Sequence, residues 1–375
     1  MRLFYNLKMI FKGDFAVAHN MKINLEGLEA IWPDGSVELH EYDLLVIDGN
    51  GIAVTAWSIG RNLELRVDRV HAAIYAMLRT IHDSVVSYLK EGGEVVVAMD
   101  GRDSRRRHRS YHPWYKHGRS QKIARDEVYE AVEVVLNCLK GCGIRTISLD
   151  GFEADDVIAT MVSKASEESM ILIISDDKDF FQCIKENVHQ WRRSDQYITT
   201  PNHAQLNRRL IGLKYLQVKA LAGDSGDNIR GLPGIGEETA RMMIEQIPDF
   251  FEHHKRDTQP NWETLPNAAV NRLKKAAGTL LHPVTAADPN FVLEEFPSLV
   301  HYLEFVPEPQ DAMRAILFEA GHALRLVTMD TKLELVFVQP TNVLQNAKKA
   351  LKTIKADHPE LLRYLETLHK RLVKS

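Results

Sequence analysis

The chain has 375 residues, a formal net charge of −4, 45% hydrophobic residues and 26% charged residues. That length supports a large core and two domains, and so small a net charge leaves the class of partner open. Its apolar runs are short and interrupted, which argues against a transmembrane span and a membrane partner. The first residues, MRLFYNLKMIFKGDF, lack the long apolar segment and small-residue cleavage site of a signal peptide. Three cysteines (Cys138, Cys142 and Cys183) are too few for a disulfide framework and point to a reducing cytoplasm. Cys138 and Cys142, four apart on one expected helix face, read as packing residues.

Residues 1–42 show no regular pattern beyond a turn signal at Pro33, Asp34 and Gly35. From there, DLLVID (43–48), EVVVAMD (94–100), IRTISLD (144–150) and MILIISDD (170–177) are continuously apolar runs that suit strands buried on both faces. Helical patterns at 67–89, 124–143 and 155–169 lie between them. The alternation predicts an α/β core with a parallel sheet over residues 43–200. Residues 201–290 read mostly as helix, with 202–223 and 237–254 flanking a glycine-rich turn. The tail, 291–375, carries two prolines in VPEP (306–309), a strand-like LELVFVQP (333–340) and a lysine-rich helical end.

Acids collect where the strands should end. Asp48, Asp100 and the group Asp176, Asp177 and Asp179 close three runs, and Glu153, Asp155 and Asp156 follow the fourth. Any one of these is explained as a turn former or helix cap. Together, at the carboxyl edge of one parallel sheet, they line a ligand crevice. Asp224 and Asp227 of LAGDSGDNIRGLPGIGEETA (221–240) join them in this reading. Nine carboxylates at close range cannot all stay ionised unaided. Hard divalent cations, Mg²⁺ or Mn²⁺, resolve the conflict, and two such ions activate water against a phosphodiester.

The positive charge is local. Segment 102–125, RDSRRRHRSYHPWYKHGRSQKIAR, holds nine Lys and Arg against one Asp, with Tyr111, Trp114 and Tyr115 interleaved. Cations neutralise phosphates and aromatic faces stack bases, although such a run alone is more often a solvated face. GLPGIGEETA (231–240) is a tight turn entering a helix, whose exposed N–H groups and dipole favour a phosphate. Glu237 and Glu238 oppose that role somewhat.

GFEADDVIAT (151–160), ISDDKDFFQ (174–182), LAGDSGDNIRGLPGIGEETA, Asp48–Gly49 and Asp100 together resemble the 5′-nuclease family. That family includes the 5′→3′ exonuclease domain of bacterial DNA polymerase I and free-standing phage flap endonucleases. The resemblance covers residues 43–245 and implies a PIN-like core, a basic arch at 101–122 and a helix–hairpin–helix-type DNA-binding region at 201–290. It assigns Asp48, Asp100, Glu153, Asp155 and Asp156 to a first ion, and Asp177, Asp179, Asp224 and Asp227 to a second, with K⁺ allowed at the glycine turn. YKHGR (115–119) is similar to the family's arch motif. Lys116 would then meet the transition-state charge, with Arg105, Arg106, Arg107 and Arg109 as rival cations. Tyr115 would stack near the scissile end and Arg119 would hold a phosphate. Those four arginines, Lys122, Gly231, Gly234 and Gly236 are the expected DNA contacts.

The implied activity is Mg²⁺- or Mn²⁺-dependent cleavage of DNA at 5′ ends or flaps. Removal of RNA primers from RNA–DNA hybrids, in replication or repair with replication proteins as partners, falls within it. Three alternatives stand beside it: a non-catalytic DNA-binding module on the same fold, an RNase sharing the core, and a phosphatase of another α/β class. Residues 1–42 and 291–375 find no counterpart in the family.

Overall fold

The computed structural model describes residues 41–62, 69–110, 112–113, 115–116, 125–195, 197–246, 272 and 312–373. The turn signal at 33–35, the arch residues Arg119 and Lys122, and nearly all of 247–311 lie outside the described residues.

A six-stranded sheet forms from β1 (Tyr42–Asp48), β2 (Leu89–Asp100), β3 (Arg145–Leu149), β4 (Ile171–Ile174), β5 (Val188–Arg192) and β6 (Tyr197–Thr199), in the order β3-β2-β1-β4-β5-β6. All neighbours are parallel except β6, which runs antiparallel to β5. The apolar runs follow from burial on both faces. Leu45 and Ile47 of β1, Val95 and Val97 of β2, and Leu172 and Ile174 of β4 join one core cluster. Their alternates Val46, Val96, Ala98, Ile171 and Ile173 join the other. Helices α1 (Gly49–Asn62), α2 (Arg69–Tyr88) and α4 (Arg125–Gly141) cover the first face, α4 following the short α3 (Arg106–Arg109). Helix α5 (Ala154–Lys164) covers the second.

β5 and β6 escaped the sequence reading for a physical reason. β5 carries the buried polar side chains His189, Gln190 and Arg192, so it breaks the apolar pattern. After β6 come α6 (Pro201–Leu206) and α7 (Gly212–Ala222). A hairpin with the two-residue strands β7 (Gly223–Asp224) and β8 (Ile229–Arg230) leads into α8 (Glu237–Gln246).

The tail corrects one expectation. The strand-like 333–340 is no strand: it makes one isolated bridge, Thr146 to Val338, at the β3 edge. The Leu333 carbonyl is held by Lys164 Nζ, and Pro340 soon ends the run. The described part of 291–375 packs into the main core. After α9 (Ala312–Val327), helices α10 (Leu344–Thr353) and α11 (Pro359–Leu372) place Ala347, Leu351, Leu361, Leu365 and Leu368 in the same core as β1. The Cys138 and Cys142 thiols meet the carbonyls of Ala347 and Leu365 at 3.5 and 3.4 Å, and burial pushes both thiols up to about 12. They are packing residues, as expected.

Leu365 is fully buried, so Leu365→Ala should lower stability by about 2–5 kcal/mol, the usual range for a core Leu. Urea unfolding followed by circular dichroism would check this. A separate early transition of the tail would contradict its membership of the core.

Candidate active site

The chain runs β1, β2, β3 in one direction across the sheet, then returns to place β4 on the other side of β1. That reversal opens a crevice at the carboxyl ends of β1 and β4, where α/β sheets bind ligands. Asp48 is the last residue of β1 and Asp100 the last of β2. Glu153 caps α5, with Asp155 and Asp156 in its first turn. Asp177 and Asp179 follow β4 at the start of a 3₁₀ turn, Lys178–Cys183.

The backbone fixes several of these acids. Asp48 accepts the Gly51 N–H (2.8 Å) and the Ser175 hydroxyl (2.8 Å). A Cβ at Gly51 would lie 2.3 Å from the Asp48 carboxylate, so only glycine permits that approach. Asp100 accepts the Ala154 N–H at 2.9 Å, tying β2 to the start of α5. Gln190 of β5 donates to the carbonyls of Ser175 (2.8 Å) and Asp177 (2.6 Å), and Arg192 donates to that of Asp176. The Asp176 carboxylate accepts the Ser194 N–H.

The hairpin brings Asp224 and Asp227 to the same crevice. Oxygens of Asp179, Asp224 and Asp227 lie within 4.8 Å of one another. The Asp227 carboxylate also lies 3.4 Å from the Tyr115 hydroxyl, which donates to Glu153 at 2.8 Å. Asp155 is electrostatically coupled to Glu153, Asp156 and Asp100, and Asp48 to Asp177 and Asp100. The nine acids of the sequence reading therefore form one connected set.

Two lysines stand among them. Lys116, buried, reaches Glu153 at 2.7 Å and Asp227 at 3.6 Å. Burial lowers its proton affinity, but Asp155, Glu153 and Asp227 outweigh that and hold it above the usual lysine range. Lys219 bridges Asp179 and Asp224. Burial opposes ionisation of Glu153 and Asp224, yet these ammonium groups hold both below the usual carboxylate range. Asp155 is raised by burial and then by Glu153. Asp48 is pushed up to about 6, chiefly by burial, with Asp177 and Asp100 adding repulsion.

A donor set made of carboxylate oxygens, with more negative charge than its own lysines neutralise, fits hard divalent ions. Stability should report this. Because the folded Asp48 pKa lies above the unfolded value, the native state keeps a proton the unfolded chain releases between about pH 4 and 6. Ion-free stability from this group therefore falls as pH rises through that window. The lowered groups act oppositely, but their contribution is already complete above about pH 5. The rise in Tm with saturating MgCl₂ should be larger at pH 7 than at pH 5. An equal or reversed difference in a thermal melt would contradict it.

The expected arch and DNA contacts are only partly described. Residues 106–109 form α3, and the Lys116 N–H donates to the Asp227 carbonyl at 2.8 Å. Tyr115 is buried and stacked on His108 at 4.3 Å, so here its ring meets the protein where the sequence reading placed a DNA end. Arg105 couples to Asp100, Arg106 lies against Gly151 and exposed Arg109 donates to the Tyr115 carbonyl at 3.4 Å. The Arg107 side chain, Arg119 and Lys122 lie outside the described residues. In the hairpin, a Cβ at Gly231 would lie 2.1 Å from the Ala222 carbonyl carbon, so close backbone packing accounts for that glycine. Gly234, at φ 74°, and Gly236 instead border open space before α8.

Sequence reading missed Tyr215 and Lys219. They lie one turn apart on α7, and both reach Asp179, Tyr215 donating at 2.9 Å. Their i, i+4 spacing just before the GDSGDN run was the available signal.

A family model described as 5′-3′ exonuclease, N-terminal resolvase-like domain, matches residues 43–209. The matched core is similar to the 5′-3′ exonuclease N-terminal domain family. A 5′-3′ exonuclease of Buchnera aphidicola subsp. Schizaphis graminum is 26% identical over 231 residues, covering 60% of this chain and 79% of that one. One of Mycoplasmopsis pulmonis is 31% identical over 205 residues, 54% and 66% of the two chains. The thermostable DNA polymerase I of Thermus thermophilus is 29% identical over 215 residues, 56% of this chain but 25% of its own length. The T5 D15 protein, co-crystallised with metal ions, shares the fold with TM-score 0.53 at 16% identity over 88% of this chain and 99% of its own. The core is thus α/β with a mainly parallel sheet, as expected. Among the described residues no helix is long and apolar enough to cross a membrane.

Proposed function

We propose that this protein is a divalent-metal-dependent, structure-selective 5′-nuclease that hydrolyses phosphodiester bonds of DNA at 5′ ends or flaps. One observation carries the reading: carboxylates from β1, β2, α5, the β4 loop and the α7–α8 hairpin converge on one crevice beside Lys116. The relatives named 5′-3′ exonuclease support it, as does the T5 D15 flap endonuclease described with DNA and metal ions, a fold neighbour at TM-score 0.52.

Asp48, Asp100, Glu153 and Asp155 would hold one Mg²⁺ or Mn²⁺, and Asp177, Asp179, Asp224 and Asp227 a second. When bound, the ions supply an acidified water and neutralise charge on the scissile phosphate. The chain's own groups do the rest. Lys116, released from Glu153, offers its ammonium to the charge that develops on the phosphoryl oxygens. Tyr115, freed from His108, offers an aromatic face to the terminal base. Arg105, Arg106, Arg107, Arg109, Arg119 and Lys122 attract the backbone of the 5′ strand. Gly234 and Gly236, ahead of the α8 N-terminus, offer N–H groups to a duplex phosphate, and the carbonyls of that turn suit K⁺. Gly231 shapes the turn. Excision of RNA primers and work beside replication proteins in the cytoplasm are the roles this activity fits.

The test is purified protein with MgCl₂ on 5′-labelled flap, nicked, blunt and single-stranded DNA and on single-stranded RNA. Cleavage of flaps or 5′ ends, abolished by EDTA, is expected. No cleavage of any substrate would favour a DNA-binding module, and cleavage of RNA alone would favour an RNase.

A further inference from the structure

We propose that Asp156 is a positioning residue: its carboxylate holds the C-terminal strap, residues 327–333, across the acidic cleft, and does not ligate an ion. The proposal depends on the nuclease reading only for where the ion site lies.

Asp156 is 1% exposed, and its Oδ1 accepts the Asp330 N–H at 2.7 Å. Thr160, one turn along α5 and fully buried, donates to the Asp330 carbonyl at 2.9 Å. Ser163 donates to the Thr331 carbonyl at 3.1 Å, and Lys164 to the Leu333 carbonyl at 2.5 Å. Positions 156, 160 and 163–164 form one stripe of the helix. From the opposite side, the Gln182 amide is satisfied twice by the strap. Its oxygen accepts the Met329 N–H (3.0 Å) and its nitrogen donates to the Val327 carbonyl (3.3 Å).

Beyond Val327, the last residue of α9, the strap has no helix or strand of its own, so these side chains supply partners that regular structure would otherwise give. Val327 and Met329 line the same cleft as Asp155, Asp156, Asp179 and Asp227, so the seating of the strap sets one wall of the site. Asp155 differs from its neighbour. Both acids line the cleft, but successive helical residues point about 100° apart, and the Asp155 carboxylate accepts the Asp156 N–H at 2.8 Å whereas the Asp156 carboxylate accepts the strap. Position 156 therefore needs a hydrogen-bond acceptor, whereas an ion ligand needs a charge. Asparagine supplies the first without the second.

Full-length Asp156→Asn, Asp156→Ala, Thr160→Val and Asp155→Asn would be compared by Mn²⁺ titration and by amide exchange of the peptide spanning 327–333. Asp156→Asn should bind Mn²⁺ within about 3-fold of the parent and keep slow exchange, while Asp155→Asn weakens Mn²⁺ by more than ~10-fold. Asp156→Ala and Thr160→Val should each speed exchange of the strap by about 5–10-fold, as expected for one lost hydrogen bond. Thr160→Val removes no carboxylate, so it reports on the strap even where Asp156→Ala fails to fold. Loss of Mn²⁺ affinity in Asp156→Asn equal to that in Asp155→Asn would overturn the proposal, as would unchanged exchange in Asp156→Ala or Thr160→Val. A parent protein that binds no Mn²⁺ would sink the nuclease reading instead, and the exchange measurements would still decide the role of Asp156.

Discussion

Asp155→Asn should abolish turnover while leaving DNA binding nearly unchanged. Asp155 sits in the first turn of α5, within the electrostatic reach of Glu153, Lys116, Asp156 and Asp100. Burial and then Glu153 raise its proton affinity, the penalty that a nearby cation would relieve. Even an outer partner of a metal ligand is worth about 10–100-fold, so a direct ligand should cost more than ~10² in single-turnover rate. The cations proposed to attract DNA lie on residues 102–125, and the glycine turn lies after Asp227, so neither is touched by the change. Cleavage of a labelled flap, alongside fluorescence anisotropy for binding, checks both halves. Equal loss of both would contradict a role in chemistry.

Lys116→Ala should show two effects with opposite responses to Mg²⁺. The single-turnover rate should fall by ~10² or more, the range for removing a transition-state charge partner. Stability of the ion-free protein should also fall, because Glu153 is 5% exposed and loses the ammonium 2.7 Å away. Removing one partner of a buried pair costs about 3–5 kcal/mol, and the surviving Tyr115 hydroxyl bond places this case at the lower end. MgCl₂ should restore most of the stability but not the rate. A rate near that of the parent would move the transition-state role to Arg105, Arg106, Arg107 or Arg109.

The strands were legible wherever both faces are buried, because Leu45, Val46 and Ile47 leave no room for a polar residue. The acids at 48, 100 and 153–156 were legible because each closes such a run or opens the next helix. What stayed hidden depends on distant pairing. Gln190 and Arg192 look like ordinary polar residues until β5 sets them against the carbonyls of 175–177. Tyr215 and Lys219 look like a solvated helix face until α7 meets Asp179. Leu351 and Leu365 belong to amphipathic helices whose partners, Cys138 and Cys142, lie more than two hundred positions earlier. The strap has no periodicity at all, since side chains of α5 and Gln182 hold it.

The most direct test of the central claim is the anomalous difference map of a crystal soaked in manganese. Two peaks are expected, one among Asp48, Asp100, Glu153 and Asp155 and one among Asp177, Asp179, Asp224 and Asp227. A map with no peak in that crevice, its carboxylates still paired with Lys116 and Lys219 at saturating manganese, would contradict the account.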